Sequence, residues 1–252
     1  MATFRIALDA GHGPNTPGKR SPDGTLGEFQ FNNAVAGYTA DLLAVYDGVE
    51  ILFTHAEDRD VPLATRTEVA NGWEADIFVS IHANASGDAW SGMRGIETYV
   101  HTTRPAAAVK LANAVHRQLI RQTGLINRGI KSADFHVLRE TKMTAILVEC
   151  GFMTNREEVE LLKSDAFRRT CAESIAAGIV ETYGLSKTED EQAQGNFIDV
   201  PVGHWAEQAI RKAAALGIIN GIKSDVFGLG EPVTREQLAV ILDRLGLLKE
   251  EK

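Results

Sequence analysis

The sequence predicts an α/β fold: a three-layer domain over residues 1–185, with a twisted mixed sheet flanked by helices, and a small mainly α C-terminal module over residues 197–252. Three observations predict it. Strand-length apolar runs alternate with stretches of helical period through the first 185 residues, the pattern of a sheet covered on both faces. The composition then changes: residues 186–196 hold one alanine and no larger apolar side chain, as expected of a solvated linker. Two short helical segments follow, in a stretch too short to build a thick core of its own.

Taken in order, Phe4 to Leu8 is a β-prone run stopped by the Gly/Pro/Asn-rich stretch from Gly11 to Gly27. From Glu28 the period turns helical, with Phe31, Val35, Tyr38 and Leu42 on one face. Val49 to Thr54 reads as a strand, Leu63 to Trp73 as a helix, Asp76 to His82 as a buried strand, and Gly95 to His101 as a further strand. Leu111, Val115 and Leu119 mark a helix after Pro105, with His116 on its outer surface. Ala145 to Glu149 is a short apolar strand. Thr154 and Glu157 make a capping box for a short helix. The last helix carries Phe167, Cys171, Ile175, Ile179 and Tyr183, four apart, and its Cys171 and the strand's Cys150 read as two buried thiols. In the module, Trp205, Ala209, Ala213 and Leu216 share one helical face. A second helix opens with Thr234 and Gln237 as a capping box and carries Leu238, Ile241 and Leu245.

With 26 Lys+Arg against 34 Asp+Glu, the net charge is −8, and both segments are net acidic. This argues against nucleic acid as a partner, which needs a basic surface. No run is long and apolar enough for membrane insertion, and the N-terminus lacks the pattern of a signal peptide. Synthesis in the cytoplasm is the corresponding expectation.

Chemistry-bearing residues stand where α/β proteins place them, just beyond strand ends. His12 follows the first strand in Asp9-Ala10-Gly11-His12-Gly13. His82 ends the Ile77-Phe78-Val79 strand, and Glu149 ends Ile146-Leu147-Val148. Glu28 opens the first long helix. Two neutral imidazoles and one carboxylate leave a fourth position on zinc for water, and a second carboxylate is then needed to move the proton. On spacing alone, Glu28 and Glu149 are interchangeable as ligand and base. Asp9 adjoins the site as a group that orients His12.

At these residues the sequence resembles the zinc N-acetylmuramoyl-L-alanine amidases of the amidase type 3 family, over about residues 4–184. The marks are Leu8 to Gly13, Glu28 with Asn32, Leu63 to Arg66 with Ala70-Asn71, Ser80 to Asn84, Gly95 to Tyr99, Arg128 to Lys131, Val137 to Arg139, and Val148 to Phe152 with Thr154-Asn155. The resemblance implies that His12, Glu28 and His82 bind one zinc ion and that Glu149 is the catalytic glutamate. It also implies hydrolysis of the amide between N-acetylmuramic acid and L-alanine in peptidoglycan. Asn84, Arg66 and Arg128 are candidate substrate contacts, Arg66 equally a helix–strand ion pair. His55 stands where the family usually has arginine and Thr144 where it usually has proline.

The C-terminal segment resembles one S-layer homology repeat, through Phe197 to Pro201, His204 to Ala206, Leu216 to Gly221 and Val233 to Ala239. Such repeats imply binding of a secondary cell-wall polymer, with Arg235 and Trp205 as candidate contacts. Together these features suggest a phage or prophage endolysin released by a holin to act at the wall. The alternatives are a host autolysin of mother-cell lysis, a zinc peptidase cutting the stem peptide, and a catalytically inactive wall-binding protein.

Overall fold

The computed structural model describes residues 3–187, 197–223, 225–245 and 247–248. The chain divides into two compact units, Met1–Ser186 and Lys187–Lys252. Of the linker expected at 186–196, residues 188–196 lie outside the described residues.

The first unit holds a six-stranded sheet of β1 (Phe4–Ala10), β2 (Val49–Phe53), β3 (Ile77–Asn84), β4 (Ile96–His101), β5 (Asn127–Ala133) and β6 (Thr144–Phe152), in the order β2-β1-β3-β6-β4-β5. β2, β1, β3 and β6 run parallel; β4 is antiparallel to β6, and β5 is parallel to β4, so the sheet is mixed as expected. Side chains alternate between faces along each strand. Ile6, Leu8, Ile77, Val79, Ile81, Ile146 and Val148 face one core. That core is closed by α1 (Glu28–Leu43), α3 (Ala106–Thr123), α5 (Arg156–Lys163) and α6 (Asp165–Tyr183). Ala7, Phe78, Ala145 and Leu147 face a smaller core under α2 (Leu63–Gly72) and α4 (His136–Arg139). Because the central strands are covered on both sides, they read as continuous apolar runs. The parallel strands β1, β3 and β6 all end at one edge, and the thin second layer leaves that edge accessible.

Several local expectations are corrected. β5 was not anticipated; Asn-Arg-Gly-Ile-Lys-Ser-Ala is a polar edge strand with no apolar alternation to reveal it. β6 runs on through Phe152 rather than stopping at Glu149. On α1 it is Leu43 that is buried, while Leu42 is 38% exposed. The cap of α5 is Asn155, whose carboxamide oxygen accepts from the Glu157 and Glu158 amides, while the Thr154 hydroxyl accepts from the Ser86 amide 3.0 Å away. His116 is buried, bridging Thr98 and Asn127 at 2.9 Å each, because α3 lies with that side against β4 and β5. Cys150 and Cys171 are free and buried.

The second unit contains α7 (Glu207–Ala215) and α8 (Arg235–Arg244). Its small core is Phe197, Val200, Ile210 and Ala214. The Asp199 carboxylate accepts from the Phe227, Gly228 and Leu229 amides at 2.7–2.9 Å and so folds the following loop onto that core. The expected inward face of the first helix is wrong: Ile210 and Ala214 point inward, while Trp205, which precedes the helix, is 91% exposed and Leu216 is exposed too. The Thr234/Gln237 capping box of α8 is present, yet α8 buries none of its residues. Among the described residues no helix is long and apolar enough to cross a membrane.

Helices α3 and α6 pack closely against one another. A Cβ at Gly178 would lie 2.5 Å from the Val115 Cα, so only glycine permits this approach. Gly178→Ala should lower unfolding stability by roughly 1–3 kcal/mol, the usual cost of overpacking. Urea unfolding of the full chain checks this; an unchanged midpoint contradicts it.

Candidate metal centre

Strand register places the polar side chains of the site. His82 is opposite Glu149 in the parallel β3–β6 pair, and Glu149 is opposite Glu97 in the antiparallel β6–β4 pair. Three ionisable side chains therefore share one row across three strands, on the face that carries the smaller core.

His12 sits one residue past Gly11 with φ 63, in the left-handed region that non-glycine residues seldom occupy. A buried ion pair holds it there. Asp9 accepts from Arg66 Nη1 at 2.8 Å, Thr54 at 2.7 Å and Ser80 at 2.6 Å. Arg66, 2% exposed, also donates to the carbonyls of Val61 and Ala10 at 2.9 and 2.6 Å and, through Nη2, to the His12 carbonyl. Burial would raise the Asp9 carboxyl, but the Arg66 charge and these hydrogen bonds hold it below the usual carboxylate range. Asp9 thus acts on the His12 backbone through Arg66; the expected direct contact with the imidazole is absent.

Glu28 is presented by the start of α1. Its amide donates to the Lys19 carbonyl at 2.9 Å, and the preceding loop is pinned by an Arg20–Gly27 bridge and by buried Leu26. Its carboxylate, 3% exposed, lies 2.9 Å from His82 Nδ1 and 3.3 Å from His12 Nε2. The two rings stand nearly perpendicular, with centroids 5.0 Å apart. One ligand atom from each of His12, Glu28 and His82 falls within 4.8 Å of the others. Burial pushes His12 down to about 4, so its imidazole is neutral, the form that binds a metal. Burial opposes the charge on His82 as well, but the hydrogen bond and charge of Glu28 outweigh it and raise His82. Burial also works against ionised Glu28, and here the two histidines prevail and lower it.

Three further residues shape this cluster, Gly11, His55 and Asn32; the sequence marked Gly11 and Asn32 only as parts of motifs and His55 only as a departure from the family pattern. A Cβ on Gly11 would fall 2.0 Å from the His82 ring, so glycine leaves the space that the imidazole fills. His55 Nδ1 accepts from the Ala10 amide at 3.0 Å and its Nε2 meets Asn33 Oδ1 at 2.9 Å, tying the end of β1 to α1. Asn32, on α1, donates to the Gly11 carbonyl at 2.9 Å.

Glu149 lies beside the cluster. Its Oε2 is buried with no hydrogen-bond partner among the described residues. Burial pushes its carboxyl up to about 8; His82 opposes the rise, and Glu28 and Glu97 add to it. A cavity of about 460 Å³ opens over His12, His82 and Glu149, walled by Val61, Leu63, Phe135 and Val137. Asn84 donates to Glu97 Oε2 at 3.0 Å and Arg128 Nε to Glu97 Oε1 at 2.5 Å, so both converge on Glu97. Arg235, the first residue of α8, is exposed, as is Trp205, in the second unit.

Gly11→Ala is expected to displace the His82 ring and to lower metal content well below that of the wild-type chain while the fold is retained. Metal analysis alongside circular dichroism checks this; normal metal content in a folded variant contradicts it.

Comparison with known proteins agrees with this geometry. The N-acetylmuramoyl-L-alanine amidase family matches residues 6–181, and the S-layer homology domain matches residues 197–239. The chain is 36% identical to the N-acetylmuramoyl-L-alanine amidase CwlM of Bacillus licheniformis, over 73% of this chain and 70% of that protein. It is 35% identical to the endolysin of Bacillus phage SPP1, over 72% and 67% of the two chains. The catalytic domain of CwlV, an N-acetylmuramoyl-L-alanine amidase from Bacillus (Paenibacillus) polymyxa var. colistinus, superposes with a TM-score of 0.68 at 35% identity, covering 73% of this chain and all of that one. With the matched region running from within β1 into the last turn of α6 and including His12, Glu28, His82 and Glu149, the chain belongs to the N-acetylmuramoyl-L-alanine amidase family and is a peptidoglycan hydrolase.

Proposed function

We propose that this chain cleaves the amide between N-acetylmuramic acid and L-alanine with a zinc ion held by His12, Glu28 and His82, and with Glu149 as the catalytic acid–base. The observation that carries the reading is the pairing of a compact His/Glu/His set with a separate, unpartnered buried carboxyl oxygen on Glu149. Two imidazoles and one carboxylate suit zinc and leave a coordination position open. The 2.9 and 3.3 Å separations of Glu28 from the two rings are close to the spacing of neighbouring ligands around one such ion. The reading gives the two glutamates different roles, supported by their positions: Glu28, within reach of both histidines, as ligand, and Glu149, outside that set, as acid–base.

Zinc bound there supplies polarisation of the scissile carbonyl and a lowered pKa for water. Glu149 takes the proton of the attacking water and returns it to the departing alanine nitrogen. Burial without a hydrogen-bond partner favours the protonated carboxyl on Glu149 and a bound cation would favour its ionised form, so the two opposed effects suit a group that must both take and give a proton near neutral pH. Neutral His12 donates its lone pair, and Gly11 and Asn32 keep the His82 ring and the loop carbonyl in place. Arg66 acts as a positioning residue for His12 rather than as a substrate contact, since each of its three nitrogens already has a protein acceptor. The open cavity accepts a polymeric glycopeptide. The S-layer homology segment holds the enzyme to a secondary wall polymer through Arg235 and Trp205, raising the local concentration of substrate. The similarity to a phage endolysin supports host lysis as the setting.

Glu149→Gln should keep about one zinc per chain and lose wall-lytic activity by roughly 10²–10⁴-fold, the range for removal of a general acid–base. His82→Ala should lose both metal and activity. Metal analysis and turbidity of purified walls read these outcomes, and mass spectrometry of the fragments should show new alanine N-termini with intact glycan. Wild-type lysis by Glu149→Gln, or cleavage inside the stem peptide, would overturn the reading.

A further inference from the structure

The row that carries His82 and Glu149 ends at Glu97, where the β4–β5 register shifts; on β5 Lys131 stands opposite Tyr99, two residues along β4 from Glu97. Glu97 is 3% exposed and is surrounded by donors. Its Oε2 accepts from Asn84 at 3.0 Å and from the Tyr99 hydroxyl at 2.6 Å. Its Oε1 accepts from both Arg128 Nε and Lys131 Nζ. Burial opposes ionisation of Glu97, but these donors hold its carboxyl down at about 2, so it is a permanent anion.

One carboxylate cannot neutralise two cations. Arg128 and Lys131 therefore carry about one positive charge more than Glu97 neutralises, on side chains 25% and 38% exposed, and Glu97 is itself opposite Glu149. Their hydrogen-bonding capacity is unspent as well. Lys131 uses one ammonium proton on Glu97. Arg128 uses Nε, its Nη1 reaches the Arg94 carbonyl only at 3.5 Å, and its guanidinium lies 5.2 Å from the Phe152 ring centre, which fixes its plane. Two cations fixed on a buried anion, with free donors, form a preorganised receptor for a second carboxylate.

We propose that Arg128 and Lys131 form a subsite for a free carboxylate on the second residue of the stem peptide, with Glu97 as its positioning residue. The inference rests on the amidase reading above. On the sugar side of the scissile bond the substrate is uncharged, because the lactyl carboxyl is itself the amide. Carboxylates occur on the peptide side. The reach agrees: the Arg128 and Lys131 side chains extend back from β5 to Glu97 on β4, one strand spacing or roughly 5 Å from Glu149, and two extended residues span at most about 7 Å. The cations are then too close for the far end of the stem and lie within range of its second residue.

The test compares two soluble muramyl peptides that differ only in whether the second residue's α-carboxyl is free or amidated. The full chain with zinc should hydrolyse the free form with a kcat/KM about tenfold higher, carried mainly by KM, as expected of one partly exposed charge-assisted contact. Lys131→Met should abolish the preference while still cutting the amidated peptide at close to the wild-type rate, and Lys131→Arg should restore it. Equal rates on both peptides, or a preference that survives Lys131→Met and Arg128→Gln, overturns the subsite and leaves the amidase reading intact. No cleavage of either peptide at the muramyl–alanine bond overturns the amidase reading and the subsite with it.

Discussion

A carboxylate buried between two imidazoles is the constraint around which the first unit is arranged. Removing a carboxylate from water costs on the order of several kcal/mol unless charge and hydrogen bonds return it. Glu28 recovers that cost only where three distant segments meet: the turn after β1, the start of α1 and the end of β3. Parallel strands supply the meeting place, because β1 and β3 end at the same edge and α1 returns to it. Two rings and a carboxylate in so small a volume form a polar knot in an otherwise apolar fold.

Precision comes from residues that never reach the cluster. The Asp9–Arg66 pair lies under the turn and spends its donors on backbone carbonyls, including that of His12. This network stabilises the left-handed conformation of a non-glycine residue at the point where the imidazole must leave the strand. Glu97 does the equivalent on the other flank, collecting Asn84, Tyr99, Arg128 and Lys131 on one carboxylate. The site is thus bracketed by two buried anions of low pKa, one supporting the turn that carries His12 and the other gathering cations on the strand next to Glu149.

Much of this was legible in the sequence. His12, His82 and Glu149 stand at the ends of apolar runs, where a polar residue is conspicuous, and Glu28 opens a clear helical period. Strand register was not legible, so spacing alone left the two glutamates interchangeable. The placement of Glu149 opposite both His82 and Glu97 exists only once β6 is inserted between β3 and β4. Arg128 and Lys131 lie on a polar edge strand that has no apolar signal, and their common partner Glu97 is separated from them by a whole helix. His116 was misplaced for a related reason: its helix is buried on more than one side, so the narrow stripe expected from Leu111, Val115 and Leu119 understates the covered face. In the second unit the error at Trp205 came from extending a helical period upstream of the residue at which the helix starts.

The most direct test is a crystal of the full chain grown with zinc, with anomalous data collected on both sides of the zinc edge. One peak should lie about 2.0–2.2 Å from a ring nitrogen of His12, a ring nitrogen of His82 and a Glu28 oxygen, with both Glu149 oxygens beyond coordination distance. A peak bound by Glu149 in place of Glu28, or no peak among these four side chains, would contradict the account.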